Sequence, residues 1–175
     1  MYIIDHRDHV LPLEDIPQSS VGAPLPWIVA DEFTVVVAYY LQDTPPGWDG
    51  TTIRIVGPDT PGIPIGVVRF SHAYAHLAGP PNDEAFSGHP LASRGLRPYG
   101  AFLVASSSWI RALEQMNAVH PEHRASHFDS YQHFVLTFHD SSVECVAKQY
   151  DVRVLPGPMS AVVPAIVALL SSGAA

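Results

Sequence analysis

The stretch His133-Phe-Val-Leu-Thr-Phe138-His-Asp-Ser-Ser142-Val-Glu-Cys-Val-Ala-Lys148 decides the fold. Its first half alternates Phe134, Leu136 and Phe138 with His133, Val135, Thr137 and His139. Its second half alternates Val143, Cys145 and Ala147 with Glu144, Val146 and Lys148. A period of two places alternate side chains on opposite faces of a strand. The polar residues His139-Asp-Ser-Ser142 between the halves supply a turn, so the segment reads as an antiparallel hairpin. Burying both apolar sets on one face pairs Phe138 with Val143, Leu136 with Cys145 and Phe134 with Ala147. A slip of one residue would bury Glu144 and Lys148 instead. In this register Cys145 lies on the core face as a small hydrophobe. Thr137 opposes Glu144 on the other face, with His139 diagonally across.

Outward from the hairpin, further strands are expected. Phe33–Leu41, entered from Trp27–Glu32, is β-branched and aromatic and reads as a central strand. Shorter strands are expected at Tyr2–Ile4, Thr51–Val56, Gly100–Ala105 and Asp151–Leu155, with a turn at 44–50. Ile65–Phe70 starts a strand that runs on towards His76. Ser106–Ser108 offers an N-cap for a helix over about 107–117, with Trp109, Ala112, Leu113 and Met116 on one stripe. The tail from Met159 is apolar almost all round, with Pro164 suited to the first turn of a short helix. This helix is read as buried or as pairing with a second subunit. Residues 11–26 and 77–99 are proline-braced loops, the second pinned by Phe86, Leu91 and Leu96. No alternating strand–helix series is present, which argues against a doubly wound sheet. The expectation is one α+β domain over residues 1–175, mainly antiparallel sheet, with one amphipathic helix and a short apolar C-terminal helix.

Composition limits the function classes. The chain has 175 residues, 47% of them hydrophobic and only 15% charged, which is ample material for a core. A net charge of −8 and scattered arginines leave no basic stripe, so neither nucleic acid nor an anionic membrane is expected as a partner. The single cysteine excludes an internal disulfide. The N-terminus turns acidic at once and does not read as a signal peptide, which makes the cytoplasm the expected location. No dinucleotide fingerprint, P-loop, HExxH or EF-hand loop is found.

Ten histidines are present, eight of them between His72 and His139. Three groups of residues follow from them. In the hairpin, His139 with Glu144 reads as a general base and its orienter, because a carboxylate fixes an imidazole's tautomer and raises its basicity; a plain solvated face is the alternative. In the loop, Asp83 or Glu84 with His89 reads as the acid side; local turn formation is the alternative. Phe70, His72, Tyr74 and His76 would line one face of an extended strand. There His72 and His76 stand about 13 Å apart, too far to share a metal. With Trp109 they read as substrate contacts. His120 suits a helix C-terminus, and His127 and His133 read as isolated and partly exposed.

Two functions follow. One is a small enzyme for acid–base or metal-assisted chemistry on a small polar or aromatic substrate. Its pocket would lie where loop 80–98, helix 107–117 and hairpin 133–148 meet, and a histidine-bound divalent metal is compatible but not required. The other is a non-catalytic acidic binding protein, of the inhibitor, immunity or accessory kind, meeting a basic protein surface. In either case the C-terminal helix offers a contact for a homo-oligomer.

Overall fold

The computed structural model describes residues 2–42, 49, 51 and 55–171. The expected turn at 44–50 and strand at 51–56 lie largely outside the described residues. The chain is α+β and built on two antiparallel sheets. The first holds β1 (His9–Pro12), β5 (Ala75–Gly79), β6 (Ala101–Ala105), β7 (Gln132–Thr137) and β8 (Ser142–Ala147), in the order β1-β6-β7-β8-β5. The second holds β2 (Trp27–Ala30), β3 (Thr34–Tyr40), β4 (Pro64–Ser71) and β9 (Gln149–Pro156), in the order β2-β3-β4-β9. Among the described residues, no helix is long and apolar enough to cross a membrane.

Alternation explains why the sheets stack. Val35, Val37, Tyr39, Val68 and Phe70 of the second sheet meet Ala101, Phe134, Leu136, Val143 and Cys145 of the first in one buried core. Phe134 packs on Phe70 with ring centroids 5.3 Å apart. The opposite set of β3 and β4, Val36, Ala38, Tyr40, Ile65 and Val67, packs under helix α2 (Met159–Ser171) through Met159, Val162, Ile166 and Leu169. Both faces of β3 are therefore covered, and all seven of its residues are buried. Helix α2 starts five residues before Pro164, not at it. Its buried face is a single stripe, and Val167 is exposed.

The β4–β9 and β5–β8 pairs form one ribbon that turns from the second sheet into the first. Ser71 pairs with Gln149 and Ala75 with Val146, so three residues (72–74) on one side oppose two (147–148) on the other. This is a bulge, and His72 sits there with φ +53°. Corners of packed sheets are commonly turned this way. The continuous strand expected through His76 is thus broken. Phe70 stays in the core, while His72, Tyr74 and His76 are exposed beyond the corner rather than lining one wall.

The hairpin register differs from expectation by two residues. Leu136 opposes Val143, Phe134 opposes Cys145, Gln132 opposes Ala147 and Thr137 opposes Ser142. The turn is Phe138–Ser141, closed by Phe138 N–H donating to Ser141 O at 2.8 Å. A shift of two leaves every side chain on its expected face, so the apolar pattern does not distinguish the two registers. Cys145 is fully buried as expected, and burial pushes its thiol up to about 12.

The other strand corrections are small. Residues 2–4 are not a strand; β1 lies instead at the start of the expected loop, pairing with β6. Helix α1 (Ser108–Asn117) is capped by Ser107, whose side chain accepts from Ile110 N–H. Met116, placed on its buried stripe by spacing, is exposed, because the sheet covers only the first turns. The 77–99 segment contributes β5 and two short 3-10 turns, Phe86–Gly88 and Ala92–Arg94. Phe86, Leu91 and Leu96 are buried against Phe102, Val104 and Val135.

Candidate functional site

The outer face of the first sheet carries the polar residues of the hairpin. In the observed register Glu144 opposes Val135, so its diagonal neighbour is His133 and not His139. This face is not solvated. Loop 86–96, α1 and residues 2–8 cover it, and His133 is fully buried.

Three elements converge on Glu144, and a fourth backs His133. From β7, His133 Nε2 stands 2.8 Å from Glu144 Oε2. From the N-terminal arm, the Tyr2 hydroxyl donates to the same oxygen at 2.5 Å. From the loop, His89 Nε2 lies 3.6 Å from Oε1. From the start of α1, Ser107 Oγ lies 2.9 Å from His133 Nδ1. The arm is held by Asp8, whose carboxylate accepts the Ser108 N–H at 2.7 Å, and by Asp5, which meets Arg111 at 2.7 Å. Tyr2 then stacks on Trp109 and meets the His133 ring edge-on.

The hydrogen bonds assign the proton positions. Leu91 N–H donates to His89 Nδ1 at 3.1 Å, so that nitrogen holds a lone pair and Nε2 carries the proton towards Glu144. Ser107 Oγ accepts from Ile110 and keeps both a proton and a second lone pair for His133 Nδ1, while an ionised carboxylate can only accept from Nε2. His133 Nε2–H then faces the carboxylate. Burial alone would raise the Glu144 carboxyl, but the bonds from His133, His89 and Tyr2 outweigh it and hold it at about 2. Glu144 is therefore a buried anion at neutral pH. Burial and the adjacent carboxylate push the Tyr2 phenol far above its usual value.

A cleft of about 370 Å³ opens beside this network, lined by Tyr2, Leu77, Pro80, Pro81, His89 and Glu144 among others. That size falls in the usual range for small-ligand sites, about 300–1,000 Å³. Leu77 opposes Glu144 across β5 and β8, which puts an aliphatic wall beside the carboxylate.

The remaining expected residues form a second cluster. His139 Nδ1 lies 3.1 Å from Asp83 Oδ2 and 2.8 Å from the Tyr99 hydroxyl, which itself donates to Asp83 at 2.5 Å. The Tyr99 bond and the His139 contact hold the Asp83 carboxyl below its usual range. This cluster ties loop to turn, and Asp83 N–H also donates to His139 O. Neither His139 nor Asp83 lines the cleft, and Glu84 is exposed. Trp109, read as a substrate contact, is buried behind Tyr2.

Loop, helix start and hairpin do meet, but through His89, Ser107, His133 and Glu144. Tyr2, Ser107 and His133 went unassigned from sequence. One signal was available for His133: it shares a strand face with Glu144 in any register that buries the apolar set. Among the described residues, no three His, Cys, Asp or Glu side chains are gathered so as to hold a metal ion. Comparison with protein-family models, with curated proteins and with solved structures finds no match to this chain.

Proposed function

We propose that this chain binds a small, largely apolar molecule in the cleft between β5, the 88–90 turn and Tyr2, with Glu144 and His89 as its polar contacts. The observation that carries this reading is a buried, ionised carboxylate on the wall of an otherwise mostly apolar cleft. Burying a charge is costly, and clusters of perturbed ionisable groups beside pockets gather at working sites. Any catalysis here takes a particular form. A carboxylate at about 2 is a weak base, and His89 uses its one ring lone pair on the Leu91 N–H. Glu144 would then stabilise positive charge developing on a substrate rather than remove a proton.

The test uses benzyl alcohol as a probe, followed by amide chemical shifts. Perturbations are expected at Leu77, Ala78, Gly79, His89 and Glu144. Gly88 lines the cleft, and a Cβ built there meets no atom within 4 Å, so Gly88→Leu starts its side chain in open space and adds bulk at the cleft. That variant should lose the perturbations. Shifts scattered over other surfaces, or none at millimolar concentration with benzyl alcohol or with its charged counterparts benzylamine and benzoate, would overturn the reading.

A further inference from the structure

We infer that the cleft selects a cationic head group, a protonated primary amine on a compact apolar body, by presenting Glu144 Oε1 as its acceptor. The inference rests on the cleft being a ligand site and goes on to name the class of ligand. It starts from the two oxygens of one carboxylate. Oε2 is filled, accepting from Tyr2 at 2.5 Å and His133 at 2.8 Å. Among the described residues, the partner of Oε1 is His89 Nε2, at 3.6 Å, which is long for a hydrogen bond. An ionised carboxylate has about four acceptor positions. One oxygen therefore retains capacity, on a residue 8% exposed that lines the cleft.

The charge around it has one sign. Among the described residues, no lysine or arginine lines the cleft. His89 is assigned as the neutral tautomer by the Leu91 N–H on its Nδ1, and fully buried His133 meets the other oxygen, Oε2. On the cleft side, among the described residues, Oε1 is thus met by the His89 N–H dipole and by no full cation. An anionic ligand would place a second negative charge beside it, and a neutral donor would leave it unneutralised. An ammonium supplies a positive charge on the cleft side and a short charge-assisted hydrogen bond. The net charge of −8 favours the approach of cations. Leu77, Pro80, Pro81 and Pro90 leave the remainder of the cleft for an apolar body.

Three isosteric probes separate the possibilities: benzylamine, benzyl alcohol and benzoate, titrated into the wild-type protein at neutral pH by amide shifts. Benzylamine should bind about tenfold or more tighter than benzyl alcohol, the order expected when a charge-assisted hydrogen bond replaces a neutral one. Benzoate should be the weakest of the three. In Glu144→Gln the amine and the alcohol should bind within about threefold of each other, an advantage of that size being only a fraction of one hydrogen bond. Equal binding of amine and alcohol by the wild type would overturn the cation inference and leave the cleft reading standing. No binding of any probe in the cleft would overturn both. The three-probe comparison uses wild-type protein alone, so it decides the matter even if Glu144→Gln does not fold.

Discussion

Glu144→Gln should change how the stability of this protein depends on pH more than it changes the fold. The wild-type carboxyl is held at about 2 against an ordinary value of 4.5. Because the folded value is the lower one, the linked stability is fully present above the unfolded value and is lost as pH falls through the folded one. A difference of this size corresponds to about 3 kcal/mol at neutral pH. Integrated down to pH 3, about 2 kcal/mol of it should already be gone. Glutamine cannot ionise, so the variant lacks this contribution at every pH. Its carbonyl still accepts from Tyr2 or His133, but one donor of the network is left with a neutral or missing partner, at about 1–3 kcal/mol.

Urea unfolding of both proteins at several pH values between 7 and 3 gives the measurement. The variant should be less stable at pH 7 by about 2–3 kcal/mol, combining the lost charge with the retained carbonyl bonds. The gap should narrow by roughly 2 kcal/mol on the way to pH 3. Other carboxylates titrate in both proteins and cancel in the difference. A gap that stays constant across this range would show that Glu144 is not held ionised by its partners, and the electrostatic account of the site would fail with it.

Other expectations test separate parts of the structure. Ser107→Ala removes both the cap of α1 and the partner of His133 Nδ1, and should lower unfolding stability by about 1–2 kcal/mol; an unchanged urea midpoint would contradict the paired role. Cys145 is fully buried with its thiol pushed up to about 12, so a chromogenic disulfide reagent should leave the native protein unlabelled and react at once in denaturant; rapid native labelling would contradict the core register. Tyr99→Phe removes the bond that does most to lower the Asp83 carboxyl, so that group should titrate closer to the ordinary aspartate range by carbon-detected NMR. No movement would mean that His139 alone sets it.

Much of the fold could be read from alternation, because a one-residue error in a strand turns its whole apolar set outward. Phe134, Leu136, Val143 and Cys145 all face the core for this reason. The same signal is blind to a shift of two, and there the pairing of Glu144 was misplaced. Moving the register from Thr137–Glu144 to Val135–Glu144 takes Glu144 away from the turn and gives it to His133. The turn set the register: Phe138 enters it and bonds to Ser141 instead of pairing with Val143. The bulge at His72 was hidden for a related reason. Val67, Val68, Phe70 and Ala75 are all compatible with one long strand, and only the pairing offset against 146–149 reveals the extra residue.

The remaining gap concerns distance along the chain. Tyr2 and Glu144 are 142 residues apart, and nothing local in either segment announces the other. What joins them is a sequence of tethers, each ordinary alone: Asp8 at the amide end of α1, Asp5 on Arg111, and Tyr2 stacked on Trp109. Together they make the N-terminal arm one wall of the site. A buried carboxylate needs donors from several directions, and no single strand or helix offers them. The structure answers that requirement with a tyrosine from the arm, one histidine from the sheet and another from the loop. His133 and Tyr2 both take Oε2, and His89 stands 3.6 Å from Oε1, so the acceptor capacity that remains for a ligand lies on Oε1.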